Sequence, residues 1–365
     1  MTCTNVKTWA VKTLRQGGIA NPVRLVKLIR DAIIFLELDL TGLTILTEAA
    51  SGPYVVTPVI ASLAGAKRVL ALTHDSRYAS AEAVIAQTRA LEALCGLENS
   101  TEIHTQRSLD LFAQADIVTN LGFVRPIDAE AIAAMKPTAV IPLMCEAWEF
   151  RSSDVDLKAC RHKGIPAMGT NETYPGLEVF AYSGWLCLKM LFDAQIEVHK
   201  SKIILVSSDK FGRVIERQLA QAGATVHLVP TLCGIAKQEV AGADVIVVAD
   251  YTRDEMIIGP GGDMTAVDLA RIAPGITVIQ FAGLVDSFNL QECGIVIYPA
   301  IEIGAHRMTM TLAELGPRPV VELHTAGLKV GELMWHKMQV LGNAEQVEHA
   351  LAEEHSLCQR LPEVS

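Results

Sequence analysis

Residues 43–78 read LTILTEAASGPYVVTPVIASLAGAKRVLALTHDSRY. The apolar run Leu43–Ala49 predicts a strand, Val55–Ala64 a helix, and Arg68–Thr73 a second strand that ends at His74 and Asp75. A strand, a turn holding a glycine, a helix and a second strand ending on a carboxylate form the first half of a mononucleotide fold. In that fold Asp75 is placed to accept ribose hydroxyls, Arg77 to meet an extra phosphate, and Ser51 and Gly52 to approach a cofactor. The turn carries one glycine rather than three, so the spacing suits a dinucleotide and the nucleoside of S-adenosylmethionine alike. It is also compatible with Glu48, Ser51 and Gly52 doing no more than turning the chain and capping the next helix.

The alternation continues outward. A helical region, Pro22–Phe35, precedes the quoted stretch. A helix over Ser80–Leu94 follows it, then strands at Glu102–Thr105, Asp116–Leu121 and Ala139–Met144 with short helices between them. A second series begins at Lys202: strands at 203–207, 225–229, 244–249, 276–281 and 294–297, and helices at 212–222 and 265–272. The expected class is α/β, with two doubly wound parallel sheets of Rossmann type. The expected domains are 1–173, a long buried connecting helix in 174–200, 201–305, and C-terminal helices over 306–365. Those last helices either pack back or form a dimer surface, because Met308, Met310, Leu312, Leu315, Met334, Trp335 and Met338 make them unusually apolar.

The second glycine loop is Val206-Ser-Ser-Asp-Lys-Phe-Gly212. Ser208 and Gly212 occupy positions of a cofactor-binding loop, but Asp209 stands where a diphosphate would lie and would repel it. Ile258-Gly-Pro-Gly-Gly-Asp263 is a further candidate anion nest, or a plain turn.

With 365 residues and 31 basic against 41 acidic side chains, the formal net charge is -10. That balance disfavours a broad basic surface for nucleic acid or anionic lipid. The longest apolar runs are strand-length, well short of the roughly 20 residues of a membrane span. The first dozen residues lack the pattern of an export signal, and the eight cysteines are scattered singly. A cytoplasmic protein with reduced thiols and neither a metal site nor a membrane segment is expected. The charged tail around Glu345, Glu348, Glu353 and Glu354 reads as a solvated helix face, and His104, His324 and His336 as packing or surface residues.

The order of parts resembles that of the D-2-hydroxyacid dehydrogenases and, more loosely, of the S-adenosylhomocysteine hydrolases, over residues 100–315. Local echoes are Gly164-Ile-Pro-Ala-Met-Gly-Thr-Asn171, Ala282-Gly-Leu-Val-Asp286 and Tyr298-Pro-Ala-Ile-Glu302. The resemblance implies NAD or NADP, and hydride transfer on a small carboxylated metabolite in an interdomain cleft. That chemistry needs an arginine to clamp the carboxylate and a histidine to move a proton. Here Phe281 stands at the arginine position and Ala300 at the histidine position.

A different set fills the strand ends. His306 is the candidate acid or base, with Glu302 to orient it and Glu146 as a second catalytic carboxylate. Arg307, Arg151, Asn171 and Glu172 are candidates to hold the substrate. Three readings follow: an NAD(P)-dependent oxidoreductase-like enzyme, a non-redox biosynthetic enzyme binding S-adenosylmethionine or a nucleotide, and an inactive Rossmann scaffold for a metabolite, peptide or protein. A homodimer is expected with each.

Overall fold

The computed structural model describes residues 3–362. The Cys3 thiol, and the last three residues of the expected 306–365 segment, lie outside the described side chains. The chain begins with helices α1 (Cys3–Gln16) and α2 (Pro22–Phe35), then β1 (Thr44–Glu48), α3 (Val56–Leu63), β2 (Arg68–Leu72), α4 (Ala81–Cys95) and β3 (Thr101–His104). It continues with α5 (Leu109–Gln114), β4 (Ile117–Val118), α6 (Ala129–Ala134), β5 (Ile141–Pro142), α7 (Leu157–Lys163), β6 (Ala167–Thr170) and α8 (Tyr182–Asp193). Next come β7 (Lys202–Val206), α9 (Lys210–Gln221), β8 (Thr225–Val229), α10 (Lys237–Ala241), β9 (Val245–Ala249) and β10 (Met256–Ile258). The remainder is α11 (Ala266–Ile272), β11 (Thr277–Ala282), β12 (Leu284–Val285), α12 (Ser287–Glu292), β13 (Val296–Tyr298), α13 (Arg318–Leu341), α14 (Ala344–Glu354) and β14 (Cys358–Arg360).

The chain divides into two compact units. Unit 1 is built from the segment up to Val179 together with the segment from Gly316 onward, and unit 2 from Phe180–Leu315. Each is α/β with a parallel sheet. In unit 1 the strand order is β3-β2-β1-β4, and a parallel bridge between Ile117 and Val140 carries it on to β5 and β6. Strand β14 closes the far edge antiparallel to β6. The six parallel strands thus run 3-2-1-4-5-6, the dinucleotide-fold order. In unit 2 the order is β13-β11-β9-β7-β8, which in that unit's own count is the flavodoxin-like order 2-1-3-4-5. Strands β10 and β12 form a separate parallel pair.

Both sheets are covered on their two faces, and their central strands show it. All five residues of β1 and all five of β9, Val-Ile-Val-Val-Ala, are buried, as expected for parallel strands packed on both sides. Helix starts are set by short polar side chains: Ser80, Asp128, Thr265, Asp286 and Asn343 accept a backbone N–H of the first turn.

Four sequence expectations change in detail. The long helix expected over Tyr174–His199 is regular only in α8, because Glu178 and Gln195 take positive φ at its two ends. Its Trp185 and Phe192 are half-exposed rather than buried. The helices expected over 306–365 begin only at α13, at Arg318-Pro319, and before it stands a single 3-10 turn at Leu312–Leu315. Glu348 is not a solvated charge: it accepts the Ala167 N–H at 2.9 Å and is partly buried, which pushes its carboxyl above the usual range. Met334 and Met338 are buried, so they add nothing to an apolar outer surface. Among the described residues, no helix is long and apolar enough to cross a membrane.

Helix α13 fixes the geometry of unit 1. A Cβ at Gly331 would lie 2.9 Å from Ile117 Cγ2 and 2.9 Å from Pro142 Cγ, and one at Gly327 would strike Met144 Sδ. Gly331 therefore lies over mid-strand and Gly327 over the end of the neighbouring strand, so the N-terminal part of α13 overhangs the carboxyl ends of the sheet. Gly331→Ala is expected to destabilise unit 1 by about 1–2 kcal/mol through overpacking, despite the better helix propensity of alanine. Urea unfolding followed by circular dichroism measures this.

Candidate functional site

In open α/β sheets, ligands bind beyond the carboxyl ends of the strands where the order reverses. In unit 2 that point lies between β7 and β9, and it is occupied by two carboxylates. Asp209 Oδ2 accepts the Tyr251 N–H at 2.6 Å, and its Oδ1 accepts the Phe211 N–H at 2.8 Å and the Ser207 hydroxyl at 3.2 Å. From the other loop, Asp250 Oδ2 accepts the Ser208 N–H at 2.9 Å and the Ser208 hydroxyl at 2.7 Å. Each loop thus offers a carboxylate to the backbone of the other. Burial, with the Asp250 charge adding to it, pushes the Asp209 carboxyl upward against these hydrogen bonds. Behind them Phe211 packs on Phe180 and Phe281, with ring centroids 5.0 and 5.2 Å away.

A dinucleotide needs backbone N–H groups and close approach at this point. Here the Ser208, Phe211 and Tyr251 amides are already bonded to carboxylates, and two negative charges sit where a diphosphate would add more. The residues do not fit NAD or NADP in unit 2. Gly212, expected to touch a cofactor, serves packing instead: a Cβ there would lie 2.9 Å from Ser207 Cβ and 3.0 Å from Leu228 Cδ1. Ser208 is held by Asp250.

His306 sits in the same unit, in a left-handed backbone conformation. Its Nδ1 lies 3.0 Å from the Tyr251 carbonyl and its Nε2 2.9 Å from Asp254 Oδ1. Both ring nitrogens are engaged, and the carboxylate facing the ring is Asp254 rather than Glu302. Glu302 and Arg307 are exposed. The loop ending at Asp263 places a carboxylate at its own end. Its own carboxylate is gripped by the Arg253 guanidinium, by the Thr231 hydroxyl at 2.6 Å and by the Leu232 N–H at 2.9 Å.

In unit 1 the reversal lies between β1 and β4. Glu48, the last residue of β1, is buried and accepts the Phe123 N–H at 3.0 Å. Burial raises its carboxyl above the usual range, opposed by the Phe123 and Gly122 amides and the nearby charges of Arg125 and His74. The loop that follows is Ala49-Ala50-Ser51-Gly52, small and uncharged, with Gly52 at φ +60° and its N–H 3.3 Å from Gln87 Oε1. Asp75 is exposed, and its Oδ1 accepts the Ala81 N–H at 2.8 Å. Arg77 lies over the ring of its neighbour Tyr78 and donates to the Tyr78 hydroxyl at 2.5 Å.

Along the same edge, Asn120 Oδ1 accepts the Met144 N–H at 2.8 Å, and its amide lies 3.9 Å from Cys145 Sγ. Burial, with Glu149 and Glu172 adding to it, pushes the Cys145 thiol far up, while Arg151 acts the other way. Of the expected set, Arg151 instead pairs with Asp154 at 3.2 Å, and Glu172 is buried. Glu146 is fully buried, and its carboxylate receives Trp148 Nε1 at 2.5 Å and Gln359 Nε2 at 3.3 Å. Asn171 pins the C-terminal segment, donating to the Ser356 carbonyl at 2.7 Å. Asn120 escapes sequence reasoning, and His324 is read there as a packing or surface residue. The partner of His324 is Thr57, 267 residues away, so no local motif announces it. Among the described residues no group of three His, Cys, Asp or Glu side chains is arranged to hold a metal ion.

Two outcomes follow. Burial favours a raised carboxyl for Asp263, but its bonds to Arg253, Thr231 and Leu232 outweigh that and hold it well below the usual range. Its stabilisation is complete above the unfolded value near ~3.9 and is lost as pH falls toward the depressed folded value. Asp263→Asn is expected to cost about 3 kcal/mol at pH 7 and to flatten the acid limb of the stability profile, read by denaturation from about pH 5 down to about pH 1.5. For the crevice of unit 2, amide protection in 207–212 on adding NADH is expected to be absent in the wild type. Asp209→Gly with Asp250→Ser is expected to tighten NADH binding by roughly tenfold or more.

A scan against protein-family models found no match, and no characterised protein matches at the level of sequence. Solved structures do match in fold. A dipicolinate synthase chain from Bacillus halodurans is 12% identical with a TM-score of 0.50, covering 79% of this chain and 96% of that one. Its counterpart from the dipicolinate synthase of Bacillus subtilis is 12% identical with a TM-score of 0.46, covering 86% and 99%. An NAD-dependent formate dehydrogenase from Staphylococcus aureus, solved with NAD, is 13% identical with a TM-score of 0.45, covering 74% and 95%. At such identities the likeness is one of fold: the chain has a Rossmann-type α/β fold with two parallel sheets, matched by the dipicolinate synthase chain of Bacillus halodurans.

Proposed function

We propose that the chain is a non-redox enzyme that binds a nucleoside-type ligand without a diphosphate, of which S-adenosylmethionine is the type, in the crevice of unit 1. The contrast between the two reversal points carries this reading. In unit 2 the loop after the first strand presents Asp209 opposite Asp250, whereas in unit 1 it is Ala49-Ala50-Ser51-Gly52, open to close approach by a neutral ring system. Asp75 lies at the end of β2, where ribose hydroxyls are accepted. One of its oxygens is bonded to Ala81 and the other has no partner among the described residues. Glu48, Asn120 and His324 supply polar groups around the reacting part of the ligand. Glu48 is the group suited to give a proton, since burial favours its neutral form.

The test is a thermal-shift panel of S-adenosylmethionine, adenosine, NADH and NADPH, since a ligand of the folded state alone raises the melting temperature. S-adenosylmethionine and adenosine are expected to stabilise the protein. Asp75→Ala is expected to weaken both by about tenfold, the loss of charge-assisted hydrogen bonds to the ribose. Stabilisation by NADH or NADPH alone, indifferent to Asp75→Ala, would replace this reading with an NAD(P)-dependent oxidoreductase acting on a small carboxylated metabolite. No response to any nucleotide would replace it with a scaffold for a protein or peptide.

A further inference from the structure

His324 is 3% exposed, among the most buried polar side chains of unit 1. It lies on α13 one turn before Gly327. Gly327 sits over Met144 beyond the end of β5, and at about 1.5 Å per residue His324 lies some 4.5 Å further out. On its other side is the first turn of α3, the helix that follows the loop from β1. The Thr57 hydroxyl lies 2.6 Å from His324 Nδ1, and the Tyr54 ring centroid is 5.9 Å from that of the imidazole. The histidine therefore stands over the carboxyl end of the sheet, beside the Ser51–Gly52 loop.

The hydrogen bond also fixes the tautomer. Thr57 is fully buried, and among the described residues its hydroxyl has no partner but His324 Nδ1. A buried hydroxyl proton left unbonded costs about 1–3 kcal/mol, so Thr57 donates and Nδ1 accepts. Burial pushes the imidazole down to about 4, so the ring is neutral near pH 7, and a neutral ring with an accepting Nδ1 carries its proton on Nε2. That N–H has no partner among the described residues, yet it is not one of the atoms sealed from solvent. A donor held in place by a second side chain, on a buried residue packed beside Tyr54 and the Ser51–Gly52 loop, and left without a partner among the described residues, is a group suited to meet an acceptor.

Resting on the nucleoside reading above, we propose that His324 Nε2–H is the specificity donor of the unit 1 crevice and hydrogen-bonds a carboxylate or carbonyl oxygen in the non-nucleoside part of the ligand. Thr57 is the positioning residue. It acts through the ring and does not touch the ligand.

S-adenosylmethionine and 5′-methylthioadenosine share the nucleoside and differ in the amino acid part, so they separate the two claims. His324→Leu is expected to weaken S-adenosylmethionine by tenfold or more and to leave 5′-methylthioadenosine within about twofold, with His324→Gln, which keeps an N–H donor, between. Nitrogen-15 NMR of the ligand-free wild type is expected to show the Nε2–H tautomer at pH 7 and a shift of the His324 side-chain resonance on titration with pyruvate. Thr57→Val is expected to release the tautomer. Equal losses for the two nucleosides in His324→Leu, or an Nδ1–H tautomer, overturn the assignment. If the wild type binds neither nucleoside, the reading of the preceding section fails by itself. The pyruvate titration then decides alone: a moving His324 resonance upholds the donor and a still one overturns it.

Discussion

Carboxylates bonded to backbone amides tie the loops across the reversal of strand order in both sheets. In unit 2, Asp209 and Asp250 reach into each other's loops. In unit 1, Glu48 reaches from β1 to the loop after β4. The loops beyond adjacent strand ends have no ladder partners there, and their N–H groups must be satisfied by water, by a bound anion or by the protein. This chain supplies the acceptors itself. Around the unit 2 tie, Phe211 packs on Phe180 and Phe281, and Gly212 packs closely on Ser207 and Leu228.

The two ties are not equivalent. Glu48 lies within the strand and leaves the loop beyond it free of charge, so the place where a ligand would approach the chain stays small and neutral. Asp209 lies in the loop itself and caps α9, so the positive end of that helix is spent on an internal carboxylate. Two sheets of similar plan thus differ at the reversal point, one with a carboxylate at the strand end and the other with two in its loops.

Much of the architecture was legible in the sequence, because parallel strands covered on both faces are apolar along their whole length and alternate visibly with helices. What escaped depended on backbone conformations or on contacts remote in sequence. Nothing in the composition of Tyr174–His199 marks Glu178 and Gln195 as residues with positive φ, so a continuous helix was the natural reading. Strand β14 is three residues long and mixed in character, and it exists only because β6 offers it an edge. In the site, Asp209 was legible as an obstacle to diphosphate because its neighbours in the motif are adjacent in sequence. The carboxylate facing His306 was misassigned, since Asp254 and Glu302 are equally plausible acids until the loops are placed. His324 was read as packing, which its burial justifies, and only the free nitrogen at the edge of the sheet gives it another role.

Unit 1 is assembled from both ends of the chain. Strand β14 completes its sheet and α13 lies across it, while all of unit 2 falls between. During synthesis the sequence of unit 2 is therefore finished, and free to fold, while unit 1 still lacks the helix that covers its sheet and the strand that closes its edge. The N-terminal half must wait on the ribosome with the apolar faces of β4 and β5 uncovered until α13 emerges. The segment up to Val179 precedes unit 2 in the chain, yet its sheet is covered and closed only by residues that follow unit 2.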